Sequence, residues 1–376
     1  MTSWNILSGE YPPQPGGVSD YTRLVARGLA RAGDNVSVWS SPTDGIEEAL
    51  DGVRVNRLPD QFGRRSLAIL NREFHRNPNA RVLIEYVPHA FGMKAMNVPL
   101  CLLLLRHRRS DLTVMFHEVA YPVELGQPFR HNALGVVNRA MVAILARAAS
   151  RMFVAAEAWK QEIARYAPTG RMIGWLPVPS NIPVADKCAI LRERARHAAP
   201  GTTLVGHFGN YGSLVAERLN PVLALILGAR SNVRIMLIGR NSERFRDRFS
   251  QEHRSLAERV MATGTLAASD VAASIGACDL MIQPYPDGIT SRNASALAGL
   301  EHGKAIATTV GRWSENFWSG SGAVMLAPDG DSEALARCTI ELVDNRDRAH
   351  AMGCAASKLY RDVFDLRHTI SALRMA

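Results

Sequence analysis

The richest set of reactive side chains lies in Gln283-Pro284-Tyr285-Pro286-Asp287-Gly288-Ile289-Thr290-Ser291-Arg292-Asn293. Asp287 supplies a carboxylate, Arg292 a fixed cation, and Thr290 and Ser291 two hydroxyls. The segment follows a short apolar run, Leu280-Met281-Ile282, expected to be a buried strand. It precedes a small-residue stretch, 294–303, expected to be a helix. In an α/β protein the carboxyl end of a parallel strand faces a ligand cleft. Arg292 and the amides of that helix suit an anion, with Asp287 near its reacting end. The bland alternatives are a turn-forming Asp-Gly and a surface ion pair at Arg292.

Other strand-to-helix junctions carry weaker signals. In Pro12-Pro13-Gln14-Pro15-Gly16-Gly17-Val18-Ser19, two glycines admit close backbone approach to a ligand, and Ser19 is placed to cap the next helix. The order is not Gly-x-Gly-x-x-Gly, so a dinucleotide-dependent dehydrogenase loses support. Phe116-His117-Glu118 ends another strand, where His117 can hydrogen-bond a substrate hydroxyl or remain structural. Glu85-Tyr86-Val87-Pro88-His89 ends the strand before it, making Tyr86, His89 and Glu118 candidates for an acceptor pocket. Further along, His207-Phe208-Gly209-Asn210-Tyr211-Gly212, Ile238-Gly239-Arg240-Asn241 and Thr263-Gly264-Thr265-Leu266 are three small-residue turns. Such turns at adjacent strand ends suit the base, ribose and diphosphate of a nucleotide.

The elements that must position these residues alternate along the chain. Ile6-Leu7, Val36 to Trp39, Val53 to Val55, Val82 to Ile84, Val114 to Phe116, Met152 to Val154 and 172–176 read as one set of strands. Leu204 to Gly206, Ile235 to Ile238, Val260-Met261, Leu280 to Ile282, Ala305 to Ala307 and Val324 to Leu326 read as a second. Amphipathic stretches lie between them, such as 21–32, closed by Gly33. The pattern predicts an α/β protein with two Rossmann-like domains of parallel sheet covered by helices, facing each other across a cleft. The Pro-rich stretch 177–183 is the expected linker.

The bulk numbers narrow the function classes. At 376 residues the chain exceeds one ordinary core. A net charge of +9 points to a phosphorylated ligand or an anionic lipid surface. Nucleic acid is not expected, because the arginines are scattered and no recognised binding module is present. Cys101, Cys188, Cys278, Cys338 and Cys354 are odd in number and unclustered, which predicts core thiols in a reducing, cytoplasmic setting without a metal site. The opening residues run straight into a strand, so no signal peptide is expected. The apolar run 98–105 is too short to span a bilayer, and ends in Arg106-His107-Arg108-Arg109. It reads either as a buried helix with a basic end or as an interfacial helix at the inner face of a membrane.

Taken together these pieces resemble the GT-B glycosyltransferases of the retaining family 4 group, over nearly the whole chain. The resemblance rests on Gly16-Gly17, His117-Glu118, Leu176-Pro177, the Gly206 to Gly209 segment, Ile238-Gly239 and Thr263-Gly264-Thr265-Leu266. It rests above all on Asp287-Gly288 followed by Gly303-Lys304-Ala305-Ile306-Ala307-Thr308. It implies an acceptor domain over 1–178, a nucleotide-sugar domain over 179–355, and a segment 356–376 that crosses back. It also implies a nucleotide-sugar donor and a glycan, lipid-linked or small-molecule acceptor. Gly16, Gly17, Gly209, Asn210, Arg218, Ser291 and Asn293 would then surround the diphosphate. Gly239, Arg240, Thr265, Leu266 and Ser295 would surround the nucleoside. His117, Asp287 and Arg292 would act at the sugar.

Two departures stand out. The family's second Glu, which binds ribose, falls on Ala298 or Ser295 depending on the direction of counting, and neither is a carboxylate. The family's Arg after the first strand of the second domain is Asn210, with Arg218 the nearest cation. Arg292 is therefore expected to neutralise the diphosphate without a metal or other cofactor. A nucleotide-sugar epimerase of the same fold and a non-catalytic scaffold are the alternatives.

Overall fold

The computed structural model describes residues 1–43, 52–107 and 111–375; Arg108 and Arg109 of the basic cluster fall outside them. The chain divides into two compact units, Met1–Val178 with Leu366–Ala376, and Pro179–Asp365.

The first unit alternates β1 (Ser3–Ser8), α1 (Gly17–Arg31), β2 (Asn35–Ser40), β3 (Val53–Arg57), α2 (Arg64–Arg76), β4 (Arg81–Tyr86), α3 (Val98–Arg106), β5 (Leu112–Phe116), α4 (Phe129–Ala148), β6 (Arg151–Val154), α5 (Trp159–Ala164) and β7 (Ile173–Trp175). Among the described residues its seven strands are parallel in the order β3-β2-β1-β4-β5-β6-β7. The order reverses between β1 and β4, so two turns diverge there and leave a crevice at the carboxyl ends. α1 shows how sequence makes the layer: Tyr21, Val25, Ala26 and Leu29 form one buried stripe against the sheet.

The second unit runs α6 (Lys187–His197), β8 (Thr203–Phe208), α7 (Ser213–Ala229), β9 (Val233–Ile238), α8 (Ser242–Glu252), β10 (Val260–Ala262), α9 (Ala268–Ala277), β11 (Leu280–Gln283), α10 (Ala294–Glu301), β12 (Ala305–Val310), α11 (Phe317–Gly320), β13 (Val324–Pro328), α12 (Ser332–Asp344) and α13 (Arg346–Leu359). Its six parallel strands lie in the order β10-β9-β8-β11-β12-β13, with the reversal between β8 and β11. The alternating runs of the sequence thus form two Rossmann-like sheets, and every expected strand is present.

Three details differ from expectation, while the run 98–105 forms the expected helix. Ser19 does not cap α1; Gly16 is the N-cap, and the Ser19 hydroxyl donates to the Gln14 carbonyl at 2.6 Å because the Pro-rich turn brings that carbonyl within reach. Cys188 and Cys354 are exposed, so only Cys101 and Cys278 are buried thiols. The run 98–105 is α3, with Leu100, Cys101 and Leu104 buried and Leu102 exposed, and Asn97 caps it through the Leu100 amide. No helix among the described residues is long and apolar enough to cross a membrane. Finally, the tail divides later than residue 356. Tyr360 and Phe364 bury in the second unit, Phe364 stacking on Trp318, and only α14 (Leu366–Arg374) joins the first.

α14 is fixed to the first unit by polar bonds as well as by Leu373. Asp34 accepts from the Thr2 amide at 3.0 Å and the Trp4 indole at 3.3 Å, and pairs with Arg374 at 3.0 Å. Arg81 and Arg151 donate to the Leu373 carbonyl at the end of the helix, where its dipole favours cations. Asp34→Ala leaves three donors without their acceptor. It is expected to cost about 1–3 kcal/mol in chemical denaturation; an unchanged midpoint would contradict this anchoring.

Candidate functional site

In the second unit the 284–293 loop is held from below by a residue that no sequence motif contained. Glu315 follows β12 and is 6% exposed. Its carboxylate accepts from the Ser291 amide at 3.1 Å, the Ser291 hydroxyl at 2.6 Å and the Trp318 indole at 2.8 Å. Ser291 is therefore committed inward. Asn293 turns back as well, accepting from the Thr290 amide and hydroxyl at 2.6 and 2.9 Å. Both residues shape the loop that carries Arg292, whose side chain is exposed.

Asp287 sits in the left-handed region at φ 64°, and its carboxylate pairs with Arg312 at 3.0 Å, with 45% of the side chain exposed. Gly288 follows at φ 91°, and a Cβ there would overlap the Gly311 amide and the Ser314 hydroxyl. The Asp-Gly hairpin is thus clasped by the turn after β12, and glycine is required. The Asp287 amide donates to Asp329 at 3.0 Å, and Arg218 pairs with the same carboxylate at 2.5 Å. Arg218 therefore braces the hairpin through Asp329. The metal-free expectation took the sequence to hold no Asp-x-Asp, but Asp329-Gly330-Asp331 is one. Its other member, Asp331, caps α12 through the Ala334 amide at 2.8 Å. Among the described residues no group of three His, Cys, Asp or Glu side chains is placed to hold a metal ion.

Ser295, a candidate for the nucleoside, shares a 2.6 Å hydrogen bond with the Tyr285 hydroxyl, and Ala298 is fully buried. Across the crevice, Gln283 donates to the Phe208 carbonyl at 3.0 Å and ties the ends of β11 and β8 together. Gly209 donates to the Ile238 carbonyl at 3.1 Å, and a Cβ on Gly239 (φ 116°) would overlap the Gly209 oxygen, so these two turns touch through backbone alone. Asn210 accepts from Asn241 at 3.2 Å. Arg240 and Thr265 are exposed and Leu266 is half-buried, all on the β9–β10 side. Beneath Gly209, His207 is 2% exposed with Nδ1 unpartnered, and burial lowers its pKa to about 3.

The first unit holds a second cluster at its own reversal. His117, after β5, lies 2.8 Å from Glu85 at the end of β4, with the Glu85 side chain fully enclosed. The Tyr21 ring meets the His117 ring edge-on at 4.7 Å. Burial, followed by the Glu85 charge, raises the Tyr21 pKa well above its ordinary value, while a hydrogen bond with Thr369 of α14 opposes the rise. Glu85 thus holds His117 in place, a contact between adjacent strands that spacing alone does not reveal. Tyr86 is not a pocket residue: it is 1% exposed and packs on Phe91 and Phe116, because it points to the opposite face from Glu85. His89 and Glu118 meet at 3.4 Å on the surface. Gly16 lies against the Glu10 carboxylate, while Gly17 opens onto free space.

No family model matches the chain, and no curated protein matches it by sequence. Solved structures do. A sucrose-phosphate synthase from Thermosynechococcus elongatus aligns with TM-score 0.71 at 16% identity, over 99% of this chain and 97% of that one. WaaG, a glycosyltransferase involved in lipopolysaccharide biosynthesis, aligns with TM-score 0.71 at 14% identity, over 99% and 100%. The chain has the GT-B fold. HepE of Anabaena, solved with UDP and glucose, shares it with TM-score 0.71 at 14% identity, over 99% and 98%. Within this GT-B fold the two units are the two Rossmann-like domains, each with its polar cluster at its sheet reversal.

Two measurements test the geometry. Glu315→Ala strips three donors of their acceptor and is expected to lose about 2–3 kcal/mol in urea denaturation; an equal midpoint would show that the loop is held otherwise. His207 must bind a proton on unfolding, since its folded pKa of about 3 lies below its ordinary 6.5. The unfolded state then binds more protons between these values, and stability is lost as pH falls from about 6.5 towards 3. His207→Phe should flatten the fall in Tm between neutral pH and pH 4; a parallel profile would place a charged imidazole in the fold.

Proposed function

We propose that the chain is a glycosyltransferase that transfers a sugar from a nucleotide-sugar donor. The observation that carries this reading is the full-length likeness to HepE, which was solved with UDP and with UDP-glucose. The second unit then binds the donor. Arg292 and the start of α10 receive the diphosphate with the Gly209-Asn210 turn, while Gly239, Arg240, Thr265 and Leu266 flank the nucleoside. Asp287, oriented by Arg312, positions sugar hydroxyls. The first unit binds a glycan, lipid-linked or small-molecule acceptor, with Gly16, Gly17 and His117 at the strand ends of that unit.

The transfer is retaining and metal-independent in this reading. The bond from C1 to the phosphate oxygen breaks as the acceptor oxygen bonds C1 on the same face. The acceptor proton passes to the leaving diphosphate, whose charge Arg292 stabilises. A peripheral position at the inner face of a membrane is supported by exposed Tyr121, Val123, Leu125 and Phe129, the last followed by exposed Arg130. Neither buried Ala298 nor Ser295, bonded to Tyr285, is the carboxylate with which the family binds ribose, and this favours the scaffold as the second reading.

A calorimetric screen of UDP, GDP, ADP, CMP and dTDP, with and without Mg²⁺, separates the two. Binding of one nucleotide without metal, weakened about tenfold or more by Arg292→Ala, is expected. No binding to any of them would leave the scaffold.

A further inference from the structure

A cavity of about 390 Å³ opens beside the β8–α7 turn, walled by Tyr211 and Ser213 on one side and by Asn241, Arg244, Phe245 and Arg248 on the other. It lies on the β9 side of β8, whereas the Arg292 loop follows β11 on the opposite side. Its charge is not that of an ordinary solvated helix. On α8, Arg246 pairs with Asp247 at 2.7 Å, and Glu243 lies against Gly264. Arg244 and Arg248, one turn apart, have no acidic partner among the described residues, and like charges at that spacing repel. The Arg248 guanidinium rests over the Phe245 ring at 5.9 Å, which holds it at the cavity wall. α7 also begins at this cavity, at Ser213, without a side-chain cap. Two exposed guanidinium groups without an acidic partner among the described residues, and an uncapped 17-residue helix, border one open cavity.

We propose that this cavity is a binding site for a phosphoryl group, held by Arg244 and Arg248. A phosphate offers acceptor oxygens to both forks, relieves the repulsion between them and accepts from the Ser213 end of α7. Asn241 connects the site to Asn210 by their 3.2 Å hydrogen bond, so occupancy here orders the turn proposed to meet the donor. The phosphoryl group belongs either to a nucleotide or to a free phosphate, and both present the same chemistry. The site does not depend on sugar transfer.

Calorimetry with inorganic pyrophosphate and with UDP, at low and raised salt, tests it. Wild type is expected to bind pyrophosphate, and the Arg244→Gln/Arg248→Gln double variant to bind about tenfold more weakly or worse. An Arg72→Gln/Arg76→Gln control carries the same charge loss on the first unit and should bind as wild type does. Weakening of both ligands identifies a nucleotide as the source, and weakening of pyrophosphate alone a free phosphate. Absence of pyrophosphate binding to wild type, or equal loss in the control, overturns the proposal. Arg292→Ala read in parallel keeps this outcome separate from the transferase reading.

Discussion

Enclosing a carboxylate costs free energy unless donors satisfy it, and Glu315 is tolerated because the Ser291 amide, the Ser291 hydroxyl and the Trp318 indole all point at it. The direction of dependence then reverses. The loop after β11 has no core of its own, so its path is set by where those donors must be. Arg292 projects from that path one residue later, and Asn293 closes the same turn onto Thr290. Trp318 in turn stacks on Phe364, so the latch is built into the hydrophobic packing of the second unit.

Around this latch, cations serve different purposes. Arg218 is spent on Asp329 and Arg312 on Asp287, and both pairs stiffen the Asp-Gly hairpin. These partly exposed pairs contribute little stability singly. Their value lies in geometry, because they fix a left-handed Asp287 and a glycine that no other residue can replace. The same division holds in the first unit, where enclosed Glu85 orients His117 and Asp34 secures α14.

The sheets were legible because most strands carry a short run of Val, Ile, Leu or Met, and alternation with amphipathic helices admits few topologies. The strand-end loops were legible for the same reason. Their bracing was not, because Glu315 lies 24 residues from Ser291, Asp329 lies 42 from Asp287, and Glu85 lies 32 from His117. No local pattern encodes such pairs; they follow from strand order. Tyr86 was misjudged for a related reason: alternate residues of β4 face opposite sides, so its neighbour Glu85 reaches the cluster and Tyr86 reaches the core. The late return of the tail escaped notice because Tyr360 and Phe364 read as ordinary helix residues until Trp318 is beside them.

The central claim is that the loop latched by Glu315 is a donor site, and acceptor-free turnover tests it most directly. A panel of nucleotide sugars would be incubated with wild type and with Arg292→Ala, reading release of nucleoside diphosphate by chromatography. The account predicts slow release from one donor without added metal, abolished in the variant. Intact donors throughout, with folded wild-type protein, would contradict it.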